Sequence, residues 1–391
     1  MRMVPLGRIS DISPRKPRNL NSSEACSFVP MELVDEYSGQ IMDARKQSIG
    51  EVEKGYTYFA DGDVLFAKIT PCMENGKCAI AHDLIGGIGF GSTEFHVLRA
   101  GDSVIPEWIY YFLRQESVRR LAKRQMTGSA GQQRVPTGFL DKLEIPLPSL
   151  TEQQRIADLL SRADRLRRLR RFALEMSDGY LQAVFLEMFG DPVTNPMGWD
   201  TAQLKKLKKP GDRINYGVVQ PGNDYPGGIP IVRVGDLEDV RKSLDGLKRI
   251  DPAIEAKYKR SRLAGDEVLI ACVGSIGRVI LANPRMKGCN IVRAVTRIPV
   301  GDSVNRVFLA TYLSTPAVQN YFVAETRTVS QPTLNVKQIE ETLIYIPPLE
   351  RQQQFLIVWQ QFDRLRAQQQ EALRQAEHLF QTLLHRSFRG A

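Results

Sequence analysis

Ile145-Pro146-Leu147-Pro148-Ser149-Leu150-Thr151-Glu152-Gln153-Gln154 recurs loosely as Ile344 to Gln353, with Pro148, Leu150, Gln153 and Gln154 matched by Pro347, Leu349, Gln352 and Gln353. The match extends both ways. Gly101-Asp102-Ser103-Val104 returns as Gly301-Asp302-Ser303-Val304, and Asp164-Arg165-Leu166-Arg167 as Asp363-Arg364-Leu365-Arg366. Because order and spacing agree, the 391-residue chain reads as one plan used twice: a globular unit, a proline-bounded junction and a long helix. Thr151 with Gln154 offers a capping box just after Pro146 and Pro148.

From Thr151 to Phe189 there is no proline, and Gly179 alone is a poor helix former. Leu159, Leu166, Ala173 and Tyr180 recur every seventh residue, with Leu169, Met176 and Ala183 on the adjoining seam. Val358, Leu365, Ala372 and Leu379 carry the same phase at the far end, where Gln368 and Gln375 make the second seam wetter. At ~1.5 Å per residue the first rod spans on the order of 55–60 Å. Such seams bury themselves against another helix, so the two rods are expected to pair as a coiled coil.

The globular units read as mixed strands and short helices. Asp63 to Ile69 is an apolar run opened by Asp61-Gly62, a buried strand after a turn, and Glu94 to Leu98 alternates as a strand does. Gly87-x-Gly89-x-Gly91 is expected to form a hairpin that needs positive φ. Pro106 opens a helix that could reach Ala122. In the second unit Gly265 to Ala271 answers the Gly62 strand, Gly277-Arg278 answers Gly76-Lys77, and Phe308 to Leu313 answers the Trp108 helix. The fold class is therefore α+β.

Composition narrows the function. No run of 18 apolar residues occurs and Met1-Arg2-Met3-Val4-Pro5 has no apolar leader, so a cytoplasmic chain is expected. Cys26, Cys72, Cys78, Cys272 and Cys289 form no C-x-x-C pair, and the four histidines complete no metal site. A metal is not expected. Lys and Arg outnumber Asp and Glu by nine, a balance that suits a polyanionic partner. Catalytic signatures are missing. Pro71 stands where a phosphate loop ending at Gly76-Lys77 needs glycine, Cys78 replaces its hydroxyl residue, and no G-x-S-x-G or H-E-x-x-H occurs.

Loop cations and amides are the candidate nucleic-acid contacts. They are Arg15, Lys16 and Arg18; Lys68 after a buried strand; Lys77 and its counterpart Arg278; Gln132, Gln133 and Arg134; Arg233; and Asn335 in Gln331-Pro332-Thr333-Leu334-Asn335. Gln, Asn and Arg can pair bidentately with base edges while Lys holds phosphates. The cluster Arg162, Arg165, Arg167, Arg168, Arg170 and Arg171 is a solvated helix face, a phosphate contact or a site for an acidic partner. Two other readings stand beside DNA recognition: a coiled-coil scaffold that never touches DNA, and an enzyme using Asp63, Glu94 and His96.

The junctions decide the resemblance. Leu143 to Ile156 is similar to the strand-to-helix transition of the specificity subunits of Type I restriction-modification enzymes. Met188-Phe189-Gly190-Asp191-Pro192 with Gly198-Trp199, Ile229 to Leu237, and Gly89 to Phe95 match further patterns of that family. The resemblance departs at Leu349-Glu350-Arg351-Gln352-Gln353, which is no clean Glu-Gln-Gln, and the second unit has no close copy of Gly91-Ser92-Thr93-Glu94. It implies two similar target recognition domains at 1–150 and 191–348, each reading half of a bipartite site, and two helices at 151–190 and 349–391 packed as an antiparallel coiled coil that sets the spacer. It implies no catalysis and no cofactor in this chain. Double-stranded DNA and two methyltransferase (modification) subunits would be its partners, joined by motor-nuclease (restriction) subunits where cleavage accompanies methylation. S-adenosylmethionine, ATP and Mg would sit on those partners, which would flip and methylate one adenine per half-site.

Overall fold

The computed structural model describes residues 2–129, 131–237, 243–326 and 332–388, and Gln331 therefore lies outside the described residues. The chain divides into two compact units, residues 1–174 with 369–391 and residues 175–368. These limits cut across the boundaries expected from sequence, because each 40-residue helix, Leu150–Phe189 and Leu349–Phe388, is shared out between two cores.

In the first unit a four-stranded sheet places Phe95–Ala100 between Ser10–Ile12 and Val64–Ala67, with Cys78–Ile80 at the edge. A second sheet pairs Ala25–Val29 in parallel with Ile88–Gly91, flanked by Arg45–Ser48 and Thr57–Ala60. Strand Met3–Pro5 closes antiparallel on Glu144–Pro146, just before the long helix. The second unit repeats this frame. Val295–Ile298 and Val268–Ala271 are central between Asn215–Tyr216 and Val279–Leu281, Ile229–Val232 runs parallel to Asn290–Ile291, and Thr201–Gln203 closes on Leu343–Tyr345.

Two local expectations are corrected. Of Gly87-x-Gly89-x-Gly91 only Gly87 takes positive φ (+69°): it forms a short turn with Gly86 (φ +63°) that leads into the strand holding Gly89 and Gly91, so the three do not form a hairpin. A Cβ on Gly89 would sit 2.1 Å from the Phe59 ring, and one on Gly91 2.3 Å from the Val29 carbonyl, so glycine is required there for close approach. The helix from Pro106 stops at Leu113 and restarts at Glu116, since Gln115 takes an extended ψ of 135°.

Both junctions rest on a buried glutamine. Gln153 accepts a hydrogen bond from the Ile105 amide at 3.0 Å and donates to the carbonyls of Ser103 and Pro148. Gln352 accepts from the Asn305 amide at 2.7 Å and donates to the Pro347 carbonyl. Each side chain ties the start of a long helix to the start of a short one, Pro106–Leu113 or Arg306–Leu313. Ser149, rather than a Thr151–Gln154 box, caps the first helix, its hydroxyl accepting from the Glu152 amide.

The cores draw on both helices. In the first unit Ile156, Ala157, Leu160 and Ala163 pack with Trp108, Tyr111, Phe380 and Leu384, and Phe388 lies 4.3 Å from the Trp108 ring. In the second, Phe185 and Phe189 pack with Phe308, Tyr312 and Phe355. Burial of the helices differs from the predicted heptad seam. Leu159, Leu166, Ala173, Tyr180, Leu365 and Leu379 are exposed, by 40% or more for Leu159 and Leu166, while Val358 and Ala372 are half-buried. The buried face runs through Ile156, Leu160, Ala163 and Arg167, one residue further round the helix. It faces a globular core rich in aromatic rings, and that core rather than a heptad partner selects which stripe is covered.

Candidate nucleic-acid interface

In the first unit a backbone ladder gathers part of the predicted set. The Lys68 amide donates to Glu94, the Val135 amide to Lys68 and the Thr70 amide to Gln133, while Arg134 bridges Ile69 and Thr127. Lys68, Glu94, Gln132, Gln133 and Arg134 thus share one loop edge. Arg134 lies bidentate on the Glu94 carboxylate, at 2.8–3.1 Å, and also donates to the Gln132 carbonyl. That guanidinium shapes the loop which carries Gln132, an exposed amide, and Gln133, a half-buried one. Residues 13–18 leave the strand beside this edge, the Ser13 amide donating to Val97, and Arg15, Lys16 and Arg18 are exposed; Lys16 is paired with Glu53 at 3.2 Å.

Other predicted contacts have structural partners. Lys77 donates to the Met31 carbonyl at 3.1 Å. Arg233 is bidentate on Asp236 within one short turn. Asn335 caps the helix Val336–Glu341 in a box with Gln338. Arg278 is half-buried at the head of its strand. Of the arginine cluster, Arg167 is buried on Asp164 and over the Phe380 ring, Arg168 is also paired with Asp164, and Arg171 pairs with Glu377 and covers the Tyr37 ring; Arg162, Arg165 and Arg170 are exposed.

The three residues of the enzyme reading are also partnered. Asp63 is buried and bidentate with Arg99 at 2.7–2.8 Å, and Glu94 carries Arg134. His96 is buried with Nε2 2.7 Å from the Val135 carbonyl, so Nε2 holds the proton; burial lowers its pKa and keeps the ring neutral. Among the described residues no group of three or more His, Cys, Asp or Glu is placed to hold a metal, and no helix is long and apolar enough to cross a membrane.

The second unit uses the same backbone with other side chains. The Val292 amide donates to Val232 and the Val295 amide to Val292, as Ser92 does to Val29 and Phe95 to Ser92. Leu334 donates to Cys272 as Val135 does to Lys68. By these bonds Cys272 stands for Lys68, Ala294 for Glu94, Thr333 for Arg134 and Arg293 for Thr93. Arg293 is exposed at the turn, a candidate that reading the sequence missed. The 200-residue offset of the Gly-Asp-Ser-Val repeat would have aligned it with Thr93.

One family model falls on the chain twice, once over each frame. That model, the Type I restriction modification DNA specificity domain, matches residues 29–174 and 199–375. The chain belongs to this family. It is 30% identical over 294 residues to the EcoBI specificity subunit of a Type I restriction enzyme of Escherichia coli, a match covering 68% of this chain and 61% of the relative. The EcoEI specificity subunit, also from Escherichia coli, is 41% identical over 160 residues, 41% of this chain and 27% of the relative. The matched stretches thus span about a quarter of one relative and about three fifths of the other. A chain from a structure on complex assembly and conformational transition of the type I R-M system aligns over 100% of this chain and 97% of its own, at 23% identity and a TM-score of 0.60. The Type I restriction-modification S subunit from M. genitalium aligns at 14% identity and a TM-score of 0.56, over 100% and 96%. Those two share the fold of this chain.

Proposed function

We propose that this chain is the non-catalytic DNA-reading subunit of a Type I restriction-modification assembly. The observation that carries the reading is a pair of compact units with one backbone frame and different side chains on the same loop edge. Residues 1–150 and 191–348 are the target recognition domains, each reading half of a bipartite duplex site. Lys68, Gln132, Gln133 and the loop of Arg15, Lys16 and Arg18 touch the first half, with Arg134 holding the loop. Arg293 and Arg278 serve the second, with Arg233 on Asp236 and Asn335 at the head of its helix holding the backbone there, and Lys77 supports the first from its place on Met31.

The helices 151–190 and 349–391 act as an antiparallel spacer. Within the first unit Arg171 lies against Glu377 and Arg167 against Phe380; within the second Tyr180 stacks near Phe362 and Phe185 near Phe355, numbers that fall on one helix as they rise on the other. The uncovered stripe of Leu159, Leu166, Leu169 and Phe172 is the surface for the methyltransferase subunits. S-adenosylmethionine, ATP and Mg belong to those subunits and to a motor-nuclease, not to this chain, which works in the cytoplasm.

The test is selection of duplexes from a random pool with the full chain. A split motif with a constant gap is expected, with affinity falling as salt rises at about −0.9 in log K per phosphate neutralised. No retention of any duplex at low salt would leave the scaffold reading in its place.

A further inference from the structure

The loop at Tyr37, the turn at Arg114, the Glu116–Arg124 helix and the two long helices line a cleft of about 300 Å³ in the first unit, where Arg114, Arg119 and Arg167 meet Tyr37, Asn75 and Phe380 and where Glu36 and Glu377 also reach the wall. Three guanidinium groups meet there, and their neutralisation is uneven. Arg167 is held by Asp164 and donates to the Tyr37 carbonyl at 2.6 Å. Arg114 has no carboxylate in hydrogen-bond contact among the described residues: it donates to the Tyr110 hydroxyl and to the Glu36 and Tyr37 carbonyls.

Arg119 is the least served. Its Nε is buried with no hydrogen-bond partner, and its guanidinium lies across Gly76, where a Cβ would be 2.0 Å from Nη1. Glu116 lies near Arg119 but is paired with Arg120, and Asp164 lies near Arg114 but holds Arg167. Of the two carboxylates in the lining, Glu377 is taken up by Arg171, which leaves Glu36. A half-buried cation beside a second arginine is costly unless an anion joins it. Fork-shaped donors are also the groups that bind oxyanions with two bonds at once.

We propose that this cleft binds a phosphate group, with Arg119 and Arg114 as its ligands and the Asn75 amide at its rim. Bound there, the anion would tie the Tyr37 loop to both long helices. Its source is either free phosphate or the phosphate of a nucleotide; the cleft is distinct from the loop edge assigned to DNA.

The test is thermal unfolding of the full chain without DNA, titrated with inorganic phosphate against potassium chloride of matched ionic strength. A saturable rise in Tm with phosphate is expected, following the logarithm of one plus ligand over Kd. Arg119→Gln should abolish the saturable rise, Arg119→Lys should weaken it at least several-fold, and Arg120→Gln, which alters an exposed neighbour paired with Glu116, should leave it intact. If Arg119→Gln does not fold, Arg119→Lys decides. A rise no greater than with chloride, or one that survives both Arg119 substitutions, overturns the proposal. AMP raising Tm at much lower concentration than phosphate, and only with Arg119 present, identifies a nucleotide; equal potency identifies free phosphate. Sequence selection from the duplex pool is independent of this result.

Discussion

The first unit and the second agree where a backbone has to be held and differ where it meets solvent. Asp63–Arg99 joins neighbouring strands in one, and Glu267 lies 3.5 Å from Arg297 across the matching strands of the other. Gln153 and Gln352 serve matching junctions, and Phe388 on Trp108 is answered by Phe189 on Phe308. At the loop edge the likeness ends: Lys68, Thr93, Glu94 and Arg134 face Cys272, Arg293, Ala294 and Thr333. Divergence at that edge, beside a second sheet of four strands in the first unit and three in the second, separates the residues that build the shared frame from those free to choose a ligand.

The comparison breaks most readily at the aromatic anchors. Phe380→Ala and Phe185→Ala should each cost about 3–5 kcal/mol, as large-to-small changes in a packed core do. Hydrogen exchange should show lost protection in the first unit for Phe380 and in the second for Phe185. Equal loss in both units after either change would show that the units are not separate bodies.

Next come the glutamines. Gln153→Ala and Gln352→Ala strand buried backbone donors and should cost about 1–3 kcal/mol each. Gln153 serves one more carbonyl than Gln352, so urea unfolding should rank Gln153→Ala as the more damaging. The reverse order would mean that the additional bond from Gln153 to Ser103 adds no stability.

The loop edge sharpens the comparison further. Glu94→Gln should loosen the Arg134 loop and weaken recognition of one half-site about tenfold, about 1.4 kcal/mol and just under the ~1.5–3 kcal/mol of a charged hydrogen bond. Arg293→Thr should act on the other half-site and reduce the salt slope by about one. Anisotropy with duplexes altered in each half reads both; an effect on the same half would contradict the assignment of one unit to each.

The smallest effect concerns thiols. Burial pushes Cys78 up to about 12 and Cys272 up to about 11, and raises Cys26 and Cys289 as well. The reactive species is the thiolate, so at pH 8 these four stay protonated. Half-buried Cys72 alone should react promptly with a thiol reagent in the folded chain. Two or more fast thiols would argue against the packing described.

Duplication, mixed α and β elements, long helices and the family were legible because they rest on local signals: proline before the helices, repeated motifs in fixed order, apolar runs. The candidate contacts were less legible. Arg134, Arg233 and Asn335 have the chemistry of base readers, yet Glu94, Asp236 and the helix at Val336 use that chemistry internally. Partners 40 residues away are not visible in composition. Arg293 was overlooked because the turn it shares with Thr93 is set by backbone bonds and not by similar side chains.

The amino-acid sequence by itself determined that the chain is built twice and that a long helix follows each unit. Tertiary structure alone decided which helical stripe is covered. Heptad spacing marks Leu159 and Leu166, but the aromatic cores present a better partner to Ile156, Leu160 and Ala163, one residue round the helix. Periodicity specifies that a stripe exists; burial goes to whichever stripe meets the larger apolar surface.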